Sequence, residues 1–240
     1  MTNDMNSISL MFLVLLTYSQ IVHSNVEKVI FTSSLAEPYP TDASFDNLLL
    51  VPLSEEHPTL RTQLNVSFPN SSSPNGQAHW FFLESLRPHQ RYEVRICWAA
   101  TQPTEFSLAT FQVDAVLSDS SLLSSVSEYA YARHAKLGTG DIEALQRRKT
   151  AVRPDTTLLF LRILAAADYY SPNDTLMMAA PPVAVDVILD RYIFNVFPKS
   201  LIPTALYLVL IAGCAWFVSG WVSRVCTAPS NEPPTSKKSQ

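Results

Sequence analysis

Apolar and polar side chains alternate through most of the middle of the chain. In residues 59–68 (TLRTQLNVSF), Leu60, Leu64, Val66 and Phe68 share one parity, and Arg61, Gln63, Asn65 and Ser67 the other. Side chains of a strand point to opposite faces in turn, so this segment predicts a half-buried strand with Asn65 outward. Residues 91–99 (RYEVRICWA) repeat the pattern, with Tyr92, Val94, Ile96 and Trp98 inward and Glu93, Arg95 and Cys97 outward. Residues 181–190 place Val183, Val185, Val187 and Leu189 on one face. Further strands are expected at 26–32, 47–53, 79–86, 105–112 and 157–165, and turns at 69–76 and 171–174. Many short strands with turn-rich connections predict a mainly β protein built as a β-sandwich.

Two kinds of segment depart from this period. Between 120 and 149, Leu122, Leu123, Val126, Tyr129 and Ala130 recur at helical spacing, Gly138 and Gly140 break the pattern, and Asp141 can cap a second short helix. This is a small helical insertion in the sandwich. The other departures are two apolar runs near the ends. Residues 8–16 (ISLMFLVLL) have the length of a signal-peptide core and are too short to cross a bilayer. Val22 and the small Ser24 precede Asn25, which fits cleavage between Ser24 and Asn25, although the leading residues carry Asp4 and neither Lys nor Arg.

Residues 201–222 hold no ionisable charge. At ~1.5 Å rise per residue such a helix crosses the ~30 Å hydrocarbon layer. Lys199 and Arg224 bracket it, and Tyr192, Phe194, Phe197 and Trp221 stand where interfacial aromatics are expected. The organisation expected is a signal peptide at 1–24, a lumenal β-rich domain at 25–198, a transmembrane helix at 199–222 and a cytosolic tail at 223–240. The aromatic linker at 191–200 runs directly into the span, so the domain is expected to rest on the membrane.

Composition then narrows the setting. A formal net charge of -4 lacks the basic face of a nucleic-acid binder, and 5 glycines against 17 prolines speak against a Gly-rich phosphate cradle. Of the three cysteines only Cys97 falls in the lumenal part, so no disulfide is expected within it; this suits an endoplasmic reticulum (ER) protein. The sequons Asn65-Val66-Ser67, Asn70-Ser71-Ser72 and Asn173-Asp174-Thr175 all lie on the lumenal side as candidate N-glycosylation sites. Lys237 and Lys238 stand fourth and third from the C-terminus, which matches a dilysine ER-retrieval signal read by coat proteins.

No chemistry-bearing constellation stands out. The chain has no HExxH, CxxC, GxSxG or Asp-x-Asp, and its histidines are scattered singly. No catalytic residue, metal site or cofactor is expected. Cys97 lies beside Arg95, which would lower the thiol pKa, but an inert cysteine is the simpler reading. Asp186 and Asp190, flanking the last strand, read as solvated turn or edge carboxylates. In the span, Ala212, Ala215 and Ser219 form a stripe of small residues that would let a partner helix approach.

Three phrases carry a family resemblance: NVEKVIFT, RYEVRICWAATQPTEFSL, and AAADYYSPNDTLMMAAPPVAVDVILDRYIFNVFPKSLIPTALYL. Together they resemble the fungal accessory subunit of glycosylphosphatidylinositol (GPI) mannosyltransferase II. The resemblance implies a non-catalytic ER membrane subunit that stabilises or positions the polytopic enzyme adding the second mannose to GPI precursors. It carries over no catalytic or binding residue. The competing expectation is an ER–Golgi cargo receptor or chaperone-like protein that binds clients through its lumenal domain.

Overall fold

A computed structural model describes residues 25–34, 45–138 and 157–226. Among these, nine strands form two sheets. The first has the order β1 (Val26–Thr32), β5 (Arg91–Trp98), β8 (Val183–Ile193), β3 (Thr59–Leu64), and the two-residue β9 (Phe197–Pro198) adds to β8. All its pairings are antiparallel. The second has the order β2 (Val51–Leu53), β4 (Gln77–Leu86), β7 (Thr157–Ala167), β6 (Thr104–Gln112), with β2 parallel to β4.

The inward parity of both sheets meets in one core. Leu64, Tyr92, Val94, Ile96, Val185, Val187 and Leu189 come from the first sheet, and Leu53, Phe81, Leu83, Leu161, Ile163 and Ala165 from the second. The architecture is therefore a β-sandwich. Each large side chain withdrawn from water contributes ~1.5–3 kcal/mol, which lets the core form without a disulfide.

β4 and β7 are apolar on both parities, and the second parity has its own cover. Trp80, Phe82 and Phe160 point away from the sandwich core and pack under α1 (Val113–Ser118) and α2 (Ser120–His134) through Val113, Val116 and Val126. Asp119 starts α2 by accepting the backbone N–H groups of Ser121 and Leu122 at 2.8 and 3.4 Å. Trp80 Nε1 donates to Ser125 Oγ at 3.1 Å, and Arg133 Nε donates to the Leu49 carbonyl at 2.9 Å. The helices thus seal the outside of the second sheet. Two short segments complete the fold: α3 (Asp174–Met178), and α4 (Ile202–Cys226), which leaves the sandwich entirely.

Several sequence expectations need correction. Residues 47–53 hold only three strand residues, preceded by a 3-10 turn at Phe45–Leu48, and Leu49 takes a φ of 49°. β3 ends at Leu64, so Asn65 lies beyond the strand and is half-buried. The segment at 171–174 is not a plain turn; Asn173 caps α3. The linker expected at 191–200 begins with three more residues of β8, then forms β9 and a 3-10 turn at Lys199–Leu201. The second helix expected to start at Asp141 lies outside the described residues.

Candidate functional site

β8 runs from one end of the sandwich to the other. Val183 pairs with Leu64 at the first end, and Tyr192 and Ile193 receive β9 at the second. Between β8 and β9 the chain reverses through Phe194 and Asn195, whose φ values are 52° and 58°. Three residues join the strands, since Ile193 pairs with Phe197, and the Val196 N–H donates to the Ile193 carbonyl at 3.1 Å. Positive φ at both central positions of such a turn comes at least cost from glycine or asparagine. Asn195 suits the turn; Phe194 does not, and its left-handed backbone costs ~1–2 kcal/mol.

The turn is held from outside. Asn195 Oδ1 accepts from Gln90 Nε2 at 2.7 Å and from the Arg91 backbone N–H at 2.9 Å, and Asn195 Nδ2 donates to the His89 carbonyl at 3.1 Å. Gln90 Nε2 also donates to the Tyr192 carbonyl at 2.6 Å. These bonds tie the β8–β9 turn to the β4–β5 turn. Phe194 gains no cover from them and stays 94 % exposed.

Past β9, the 3-10 turn packs on the outer face of the first sheet. The Ser200 backbone N–H donates to Asp190 Oδ2 at 3.3 Å, and Arg95 Nη2 donates to Ser200 Oγ at 3.4 Å. Beside them Tyr192 OH donates to Glu93 Oε2 at 3.0 Å, the oxygen that Lys28 Nζ approaches at 3.4 Å. Arg95 lies 3.8 Å from the other oxygen of Glu93, and the Arg91 guanidinium sits 5.0 Å from the Tyr192 ring centre. Burial, then the bond to Glu93 and its charge, pushes the Tyr192 phenol above its ordinary range. Glu93, read from sequence as an outward strand position, and Asp190, read as a solvated carboxylate, are only 4 % and 7 % exposed. Tyr192 is likewise buried and is no interfacial aromatic.

A second polar cluster braces the same end. Tyr92 OH donates to Glu55 Oε1 at 2.5 Å, and Glu55 Oε2 lies 3.4 Å from both Arg87 and Arg191. The carboxylates at this end are thus engaged with a phenol, a guanidinium, an ammonium or a backbone N–H. The arrangement is suited to holding the base of α4 at a set angle. Among the described residues no group of three or more His, Cys, Asp or Glu side chains is placed to hold a metal.

α4 is long and apolar enough to cross a membrane, with a mean hydropathy of 2.1 in its best window, none of it buried by the protein. Ala212, Ala215 and Ser219 are exposed along it, and a Cβ at Gly213 or Gly220 would meet nothing within 4 Å.

The three sequon asparagines share a location that the sequence does not reveal. Asn65 follows the end of β3, Asn70 lies in the loop between β3 and β4, and Asn173 lies between β7 and β8, all at the end opposite α4. Asn70 Oδ1 accepts from the Ser72 and Ser73 N–H groups at 3.0 and 2.7 Å, and Asn173 Oδ1 accepts from Thr175 N–H and Oγ1 at 3.0 and 2.7 Å. Both use the side-chain oxygen and stand exposed, which leaves the amide nitrogen toward solvent. Gly76 closes the loop after Asn70 at a φ of 76°, against the Ala165 carbonyl, where any Cβ would overlap.

Cys97 lines a pocket of about 390 Å³ with Arg61, Trp98 and Asp186. Burial raises its thiol pKa and outweighs the Arg95 charge, contrary to the activation expected from that neighbour. Asp186 is no free carboxylate: Arg61 holds it at 2.7 and 2.9 Å. Asn25 is described, and its carbonyl accepts the Trp98 N–H at 3.2 Å. Ser24, Lys237 and Lys238 lie outside the described residues.

Sequence reasoning missed the junction itself. Glu93, Asp190, Gln90, Asn195 and Ser200 come from distant positions that only strand register brings together. The one local signal was two polar residues, Asp190 and Arg191, within a strand that continues to an aromatic hairpin.

The family model described as GPI-mannosyltransferase II co-activator (Pga1) matches residues 15–221. No curated protein and no solved structure matches the chain.

Proposed function

The chain belongs to the GPI-mannosyltransferase II co-activator family, and from that premise we propose that it is a non-catalytic subunit that stabilises or positions the polytopic mannosyltransferase adding the second mannose to GPI precursors. The observation that carries the reading is the extent of the match, which takes in the sandwich and most of α4 together. A lipid-linked sugar donor calls for a multi-helix cavity, and among the described residues one helix, α4, is long and apolar enough to cross a membrane. Catalysis therefore belongs to the partner, and this chain supplies a folded domain and a helix to dock against.

The setting follows from the same reading. The protein is a type I ER membrane protein, with residues 1–24 removed as a signal, 25–198 in the lumen, 199–222 spanning and 223–240 in the cytosol. Clustering of Asn65, Asn70 and Asn173 at the end opposite α4 supports it, because glycans there project away from the bilayer. Lys237 and Lys238 return escaped molecules by engaging retrieval coats. Ala212, Ala215 and Ser219 present the small-residue stripe along which the partner's helices pack.

The test is depletion of the protein followed by analysis of GPI precursors. Precursors bearing one mannose accumulate if the reading holds. An unchanged precursor profile would sink it.

A further inference from the structure

We propose that the β8–β9 hairpin is a lipid-interface anchor, with Phe194 and Val196 seated among the headgroups of the bilayer that α4 crosses. The proposal rests on the reading of α4 as a span. It adds a second, shallow membrane contact that fixes how the sandwich stands over the membrane.

Phe194 and Val196 are 94 % and 75 % exposed, and Phe197 is 40 % exposed. An exposed phenylalanine in left-handed backbone gains nothing in water, whereas an apolar layer over the tip repays its position. The hairpin is rigid where it matters: Asn195 is bonded to Gln90, Arg91 and His89, so the tip cannot fold its apolar side chains back onto the sandwich without breaking those bonds.

The occupant follows from continuity with the span. Only Pro198 and the 3-10 turn at Lys199–Leu201 separate Phe197 from the first residue of α4. Four residues reach at most ~3.3–3.6 Å each, about 13–14 Å in all, which tethers the hairpin beside the point where α4 enters the bilayer. Exposed cations surround the tip, with Arg87 and Arg91 on the adjoining turn and Lys199 behind it. Apolar side chains ringed by cations match the boundary between acyl chains and phosphate headgroups. The opposite end of the sandwich, with its three sequons, offers no such continuity, although Tyr170 is 88 % exposed there.

The test places one environment-sensitive unnatural fluorophore at Phe194, Tyr170 or Val209 of the full chain, reconstituted into phosphatidylcholine–phosphatidylinositol vesicles. Expected are blue-shifted emission, quenching by brominated lipid and protection from aqueous iodide at 194 and at 209, with the reverse at 170. Lipid protection at 209 with iodide-accessible emission at 194 overturns the anchor and leaves the span standing. Water access at 209 overturns the span and the anchor with it. A photo-crosslinker at Phe194 in native membranes supplies the other arm: lipid adducts support the proposal, and an adduct confined to a protein overturns it in favour of a protein-docking tip.

Discussion

Trp80 and Glu93 occupy strands joined by one turn, on opposite outer faces of the sandwich, and water reaches neither. Trp80 is sealed by hydrophobic cover: α1 and α2 lie over it, and its ring packs on Phe111 and Phe160 at 5.9 and 6.1 Å between centres. Glu93 is covered by the polypeptide that leads to α4 and is held by Tyr192, Lys28 and Arg95. One face is closed for stability by parts of the same domain. The other is closed by a polar mount that sets where the apolar helix leaves. Hydrophobic cover is non-directional, whereas hydrogen bonds and ion pairs fix geometry. The difference assigns folding to one face and the placing of α4 to the other.

The contrast can be broken most forcefully at Trp80. Trp80→Ala is expected to cost ~3–5 kcal/mol, seen as a large fall in Tm of the whole sandwich. A loss below about 1 kcal/mol would mean the helical cover is not part of the folding core. Glu93→Ala comes next, at ~1–3 kcal/mol, because it strands a buried phenol and loosens two cations. Its effect should be local, with amide exchange accelerating from Tyr192 to Ser200 while β4 and β7 stay protected. Uniform acceleration would erase the distinction between mount and core.

His79 sharpens the comparison by pH. It is buried, its Nε2–H donates to the Asn65 carbonyl at 2.7 Å, and burial lowers its pKa despite that bond. A depressed folded pKa means that the unfolded chain takes up a proton that the native state refuses. His79 therefore leaves stability intact above its ordinary pKa and erodes it as pH falls below that value. Denaturant unfolding from neutral to mildly acidic pH should show this slope, and His79→Gln should flatten it. The smallest effect belongs to the exposed Arg61–Asp186 pair. Although Arg61 holds the Asp186 carboxyl below its usual range, Arg61→Ala should leave Tm unchanged within error, since water screens the pair.

The sandwich was largely legible because period two survives wherever one strand face meets the core and the other meets water, as in β3, β5 and β8. It faded where both faces are covered: the run from Trp80 to Leu83 is apolar throughout, so sequence located β4 without revealing the second layer above it. Residues 47–50 read as strand because Leu48, Leu49 and Leu50 are apolar, yet Leu49 is buried through a left-handed kink that no periodicity records. The helix α4 was legible from composition alone. The junction was not, since pairing Glu93 with Asp190 depends on register across ninety-odd residues of intervening chain. Cys97 shows a further limit: its neighbour Arg95 is visible in sequence, but the burial that dominates its pKa is not.

The central claim is a dedicated pairing with one membrane enzyme, and mild-detergent purification of the full chain from its native membrane tests it most directly. The account predicts one multi-span mannosyltransferase in stoichiometric amount, retained in a Phe194→Ser variant because α4 supplies the contact. Recovery of many secreted proteins and no multi-span glycosyltransferase would contradict it, and would assign the sandwich to client binding instead.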